Sequence, residues 1–139
     1  AYIEVLLNYC MRFYGRQFAT RKTASKDILA RFERVLNEYF ERGDQIRHGL
    51  PNVQECAERL SLSPNYFSDL VKRETGETPH EHIQRFLIER IKKSLTEGNK
   101  TISEIAYGMG FNYTHHLSRM FKNATGMTPK EYLAALKLK

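Results

Sequence analysis

Apolar residues recur at helical spacing from Thr101 onward: Ile102, Ile105, Ala106 and Met109 fall at i, i+3, i+4 and i+7, which predicts a short helix with one buried side. Thr101 opens this helix and Glu104 follows three residues later. That is the capping-box spacing, in which each side chain meets a backbone N–H left without a partner in the first turn. Gly108 and Gly110 stop the helix and Phe111 returns to the core. Asn112 is placed to cap a second helix whose inner face reads Leu117, Met120, Phe121 and Ala124. The outer face of that second helix reads Thr114, His115, Ser118, Arg119 and Lys122. Core packing accounts for the apolar side. It gives no reason for the opposite side to carry hydrogen-bonding groups together with two cations.

The same pattern stands earlier in the chain. A shift of 49 pairs Val53, Glu55, Cys56, Ala57, Leu60 and Leu62 with Ile102, Glu104, Ile105, Ala106, Met109 and Phe111. Past the turn the shift is 50, pairing Ser68 with Ser118, Lys72 with Lys122, and Thr75, Gly76, Thr78, Pro79 and Glu81 with Thr125, Gly126, Thr128, Pro129 and Glu131. The second copy therefore holds one extra turn residue. In the first copy the polar face is Asn65, Ser68, Asp69 and Lys72, again at i, i+3, i+4 and i+7. Ala57 and Ala106 are small residues midway along the first helix of each unit, where another helix can cross closely. A duplicated supersecondary unit of this kind is a far stronger signal than one local pattern.

Around the repeat lie three further elements. Tyr2, Ile3, Leu6, Leu7, Tyr9, Cys10, Phe13 and Tyr14 form a broad apolar stripe at helical spacing, followed by a basic connector over Arg16 to Ala24. Ile28, Leu29, Phe32, Val35, Leu36, Tyr39 and Phe40 predict a scaffold helix from Ser25 to Glu41, ended by Gly43. Gly49, Leu50 and Pro51 then lead to Asn52, which with Glu55 repeats the capping arrangement; Ser63 caps the next helix and Pro64 stands at its first position. A helix from Pro79 to about Leu95 links the units, and about 17 residues at 1.5 Å each give roughly 25 Å. Half a unit at each end brings the two outer faces to a separation of about 34 Å, one turn of duplex DNA.

Composition is that of an ordinary globular protein, 41% hydrophobic and 27% charged, which argues against disorder. The net charge of +6 is unevenly placed. Residues 1–24 carry four basic and one acidic side chain, 25–98 twelve and thirteen, and 99–139 six and two, so basicity gathers in the second unit and the N-terminal segment. Such a surface attracts phosphate through counterion release. Cys10 and Cys56 lack metal-binding spacing, and Cys56 falls on an apolar helix face, as expected of a core residue in a reducing compartment. With no run of about 20 apolar residues and no visible secretory or lipidation signal, a cytoplasmic protein with no membrane association is expected.

The repeat, with Ile105, Ala106, Tyr107, Gly110, Phe111, Ser118, Arg119, Phe121, Lys122, Gly126, Thr128, Pro129 and Tyr132 in its second copy, resembles the DNA-binding domain of AraC/XylS transcription regulators. The resemblance covers Ser25 to Leu136. It implies an all-α fold of two homeodomain-like helix-turn-helix subdomains joined by a long linking helix, preceded by an N-terminal amphipathic helix. In that scheme residues 1–24 are the remnant of an effector-binding or dimerisation domain with its linker, and 25–139 the DNA-binding domain; the alternative for the apolar stripe is a helix that packs back onto the DNA-binding unit. The first helix-turn-helix spans about 52–76, the linking helix about 79–95 and the second helix-turn-helix about 101–126. This chain departs from the family at Leu87 and Ile91, where members commonly carry Arg and Ala, and at Asp69, where several members carry Arg.

Roles follow from side-chain chemistry. Arg119 is the best base reader, because its planar fork can hold guanine O6 and N7 together; Thr114, His115 and Ser118 share its face. Asn65 can pair with adenine, Ser68 can donate or accept, and Asp69 can either accept from cytosine N4 or pair within its helix with Lys72 or Arg73. Lys72, Arg73 and Lys122 are placed to meet phosphate, the alternative for each lysine being a solvated helix side chain, and His116, which aligns with Tyr66, can either pack or bond phosphate. Because the two outer faces differ, the expected site is not a palindrome, and a stiff link implies a modest bend in the duplex. The expected function is a sequence-specific double-stranded DNA-binding transcription regulator, an activator by resemblance, with recognition helices in successive major grooves.

RNA polymerase, a second copy joined through residues 1–24, and a small-molecule effector acting through the missing N-terminal domain are the further partners the resemblance implies. No cofactor and no enzymatic activity are expected. His80 and His82 do not share a helix face, His115 and His116 lack a third ligand, and no phosphate-binding glycine loop or nucleophile motif occurs. The alternative is a protein-interaction module that kept the scaffold and lost DNA reading, which the near-neutral first unit permits.

Overall fold

The computed structural model describes residues 27–138, and among them every regular element is a helix. The first helix, α1, is described over 27–41. It is followed by α2 (Asp44–His48), α3 (Val53–Arg59), α4 (Pro64–Thr75), α5 (Pro79–Glu97), α6 (Ile102–Met109), α7 (Thr114–Thr125) and α8 (Pro129–Lys137). The apolar stripe expected at the N-terminus, the basic connector and the Ser25 start of α1 lie outside the described residues.

The predicted apolar positions make one continuous core. Phe32, Leu36, Tyr39 and Phe40 of α1 are buried, and Phe32 meets Phe67 of α4 edge-on at 4.9 Å. From the first unit Cys56, Ala57, Leu60, Phe67 and Val71 enter the core, and from the second Ile105, Ala106, Met109, Phe111, Leu117 and Phe121. Between them run Ile83, Leu87, Ile88, Ile91 and Leu95 of α5. Each large side chain so buried contributes about 1.5 to 3 kcal/mol. One continuous core therefore runs through both units and the helix between them. Ala57 and Ala106 have no exposed surface, as expected where helices cross.

The repeat extends to individual hydrogen bonds. Thr75 Oγ1 donates to Val71 O and Thr125 Oγ1 donates to Phe121 O, both at 2.7 Å, and each then accepts the N–H two residues on, from Glu77 at 3.1 Å and Met127 at 3.2 Å. Gly76 and Gly126 close α4 and α7 in the left-handed conformation, and Thr78 and Thr128 cap α5 and α8. Pro79 and Pro129 follow, both buried. The linking helix runs two residues past its expected end, to Glu97 before Gly98; its 19 residues span about 28 Å at 1.5 Å per residue.

Four local expectations need correction. Residues 44–48 form a helix, α2, where only a connection is predicted. Asn112 does not cap α7: the N-cap is Tyr113, which makes no side-chain cap hydrogen bond, and Asn112 is the extra turn residue. Ala124, placed on the inner face of α7 by periodicity, is exposed, because α7 is by then leaving the core. The capping box at Thr101 is half made. Thr101 Oγ1 accepts from Glu104 N at 3.1 Å, but among the described residues only Thr128 and Glu131 show both reciprocal bonds.

Burial also settles two titratable groups. Cys56 is 2% exposed and burial pushes its thiol up to about 12, leaving an inert core side chain. His82 is buried against Phe32, with ring centroids 4.9 Å apart, and burial lowers its pKa. No helix among the described residues is long and apolar enough to cross a membrane.

Candidate nucleic-acid interface

Two polar helix faces form the candidate site, and the buried side of each helix dictates which way it faces. On α4, Phe67, Leu70 and Val71 are buried, which turns Asn65, Asp69, Lys72 and Arg73 to solvent and leaves Ser68 half-exposed. On α7, Leu117 and Phe121 are fully buried, so His115, His116, Arg119 and Lys122 are exposed, with Thr114 and Ser118 half-exposed. Every residue expected to touch bases or phosphate is thus at the surface, and none is sealed in the core. By contrast Leu87, where a family arginine would stand, is 2% exposed and belongs to the core.

Among the described residues the charged groups on these faces have no ion-pair partner. Among the described residues none of Lys72, Arg73, Arg119 and Lys122 joins an ion pair, whereas Arg42, Arg47, Arg59, Arg85 and Lys92 all do. Asp69 likewise pairs with neither Lys72 nor Arg73 among the described residues, so the intrahelical pairing the sequence allows is not formed. Asp69 and Arg119 stand at equivalent positions, 50 apart, and carry opposite charge. The two faces are therefore electrostatically unequal at their centre.

The start of α7 holds contacts that sequence reasoning does not anticipate. Tyr113 and His115 stack with ring centroids 5.4 Å apart, and His116 lies edge-on to His115 at 4.5 Å. Thr114 Oγ1 donates to Ser103 Oγ of α6 at 3.3 Å, tying the entry of α7 to its own scaffold helix. Tyr113, 57% exposed, and Asn112 belong to the candidate surface by position. The signal for Tyr113 was an aromatic residue where the first unit has Ser63, a mismatch in an otherwise regular repeat.

The two units also meet through α2. Asp44 is 8% exposed and its Oδ2 accepts from Arg59 Nη2 of α3 at 2.9 Å, while Oδ1 accepts from Arg47 Nη2 at 3.2 Å. The Arg59 hydrogen bond holds the Asp44 carboxyl below the usual carboxylate range. Gln45, the next residue, reaches the other way: its Nε2 donates to Gly108 O of α6 at 3.1 Å. At the far end of α2 Tyr39 OH donates to Gly49 O at 2.6 Å, and burial with the nearby Glu55 pushes the phenol up to about 12. No cluster of three His, Cys, Asp or Glu placed to hold a metal ion occurs among the described residues.

A family profile described as "Helix-turn-helix domain" matches residues 56–135. Among curated proteins the chain is similar to the HTH-type transcriptional regulator YobQ of Bacillus subtilis, 31% identical over 80 residues, 58% of this chain and 33% of that protein. It is also similar to the HTH-type transcriptional activator RhaS of Escherichia coli, 28% identical over 80 residues, 58% of this chain and 29% of that protein. The matched part thus spans about a third of these relatives' length. Of solved structures, a transcriptional regulator with an AraC-type DNA-binding domain from Chromobacterium violaceum superposes with a TM-score of 0.66 at 20% identity, covering 81% of this chain and 94% of that one. The DNA-binding domain of AdpA in complex with a target DNA gives 0.63 at 21% identity, covering 77% and 93%. At these identities the superpositions speak to the fold.

Proposed function

The chain belongs to the AraC-type helix-turn-helix family, and on that premise we propose that residues 25–139 are the DNA-binding domain of a transcription regulator, acting in the cytoplasm. The domain inserts α4 and α7 into successive major grooves of one duplex. The observation that carries this reading is the pairing of two outward polar faces, each free of ion pairs among the described residues, on a single shared core. Arg119 reads a guanine, with Thr114, His115 and Ser118 beside it; Asn65, Ser68 and Asp69 read the other groove. Lys72, Arg73, His116 and Lys122 hold phosphate and set the register.

Asp69 at the place of Arg119 supports an asymmetric site, since a carboxylate accepts from cytosine where a guanidinium donates to guanine. Activation through contact with RNA polymerase, a dimerising or effector-binding N-terminal domain, and a modest bend in the duplex complete the proposal. A regulator of this kind has no catalytic centre to explain.

Selection of duplexes from a random pool tests the reading. The expected result is an asymmetric two-part site bound in a salt-dependent manner and retained against excess competitor DNA. Binding that competitor abolishes entirely would reject base reading and leave a protein-interaction role for the scaffold.

A further inference from the structure

The two units are joined by more than the linking helix. Core packing connects α5 to both scaffold helices, α3 and α6, and α2 connects the same two by a separate route. Asp44 takes Arg59 of α3 and its neighbour Gln45 takes the carbonyl of Gly108 in α6. The four helices α3, α5, α6 and α2 close a ring. A single connecting helix leaves rotation of one unit about that helix resisted only by side-chain packing; a closed ring resists it at a second point.

The approach of α2 to the second unit is close enough to exclude a side chain. A Cβ on Gly110 would stand 2.9 Å from Gln45 O and 3.0 Å from the carbonyl carbon of Gly49. The backbone of α2 and the turn of the second helix-turn-helix are therefore in direct contact, at the point where the chain enters α7. Tyr39 holds the other end of α2 through Gly49 O. With Asp44 buried and bonded to two guanidinium groups, the segment is fixed at its start, along its side and at its end.

We infer that Asp44 and Gln45 are positioning residues that set the angle between α4 and α7, and so fix the spacing between the two halves of the DNA site. This rests on the reading of α4 and α7 as recognition helices, but the mechanical part does not. Loosening the brace leaves each face intact while letting the pair accommodate a duplex in which the halves are one base pair nearer or farther.

Two measurements on the full chain test this, with Gln45→Ala, which removes the Gly108 hydrogen bond, and Asp44→Asn, which weakens the Arg59 contact. In the first, spin labels on cysteines at the exposed positions 74 and 123, with Cys10 replaced by Ser, report the distance between the units. The distribution should be narrow in the parent and broader in either variant, with Gln45→Glu as broad as Gln45→Ala because it too lacks the donor. In the second, the duplex that the parent selects from a random pool is compared with versions carrying one base pair more or less between its halves. The parent's preference for its own spacing should fall by about tenfold in Gln45→Ala, the scale of one lost base contact, while a half-site duplex is bound as before. Unchanged distance distributions and unchanged spacing preference overturn the inference. If the parent selects no duplex, the DNA-reading proposal fails, and the label distances alone decide whether α2 is a brace.

Discussion

Ser61 and Gly110 hold the same place in the two turns, each in the left-handed conformation, with φ of 59° and 98°. Serine pays steric strain there that glycine does not, and Gly110 has the further constraint of the α2 backbone against it. The two positions should respond oppositely to substitution. Ser61→Gly is expected to raise stability by about 0.5 to 1 kcal/mol. Gly110→Ala should lower it by roughly 2 kcal/mol or more, because a new Cβ meets backbone that cannot rotate away. Urea unfolding of the two variants checks this, and equal effects at both sites would contradict the close approach of α2.

Arg119 and Lys122 lie one helical turn apart but are assigned different work. Arg119→Ala should remove discrimination at one base position, worth about 1 to 3 kcal/mol, with a much smaller effect on random duplex. Lys122→Ala should weaken selected and random duplexes alike and reduce the salt slope by about one. Titrations at several salt concentrations separate the two. Equal loss on selected and random DNA for Arg119→Ala would reassign that side chain to phosphate.

His82 makes folding sensitive to acid. Its pKa in the folded protein is lowered, first by burial and then by Arg85, with Glu33 and Glu77 acting in the opposite sense. As pH falls below about 6.5, the usual histidine value, the unfolded chain takes up a proton that the folded chain does not. The contribution is therefore fully present above that pH and is lost as pH falls toward the folded pKa. Urea midpoints at pH 7 and pH 5 should differ more for the parent chain than for His82→Gln, which cannot titrate. Identical differences would mean that His82 is accessible to protons in the folded state.

Much of this architecture was legible in the sequence because the repeat supplies its own control. A position that is apolar in both units, such as Cys56 with Ile105 or Leu62 with Phe111, is a core position whatever its local context. The outer faces were legible for the same reason: Ser68 with Ser118 and Lys72 with Lys122 remain polar where burial would remove them. Three features fell outside that logic. The α2 segment has no copy in the second unit, and its one large apolar residue, Ile46, is 64% exposed, so no period marks it. What holds it is tertiary, the Arg59 and Gly108 contacts. Asn112 is a better N-cap by residue type than Tyr113, but the extra residue belongs to the turn, so propensity pointed to the wrong neighbour. The Tyr113–His115 stack depends on side-chain directions that spacing alone does not encode.

If one chain reads two adjacent major grooves with unequal faces, hydroxyl-radical footprinting of the selected duplex should show two protected patches on one side of the DNA, centred about 10 base pairs apart. Arg119→Ala should erase sequence preference in one patch and leave the other unchanged. A single protected patch, or a symmetric pair whose halves both respond to Arg119→Ala, would contradict that two-groove reading.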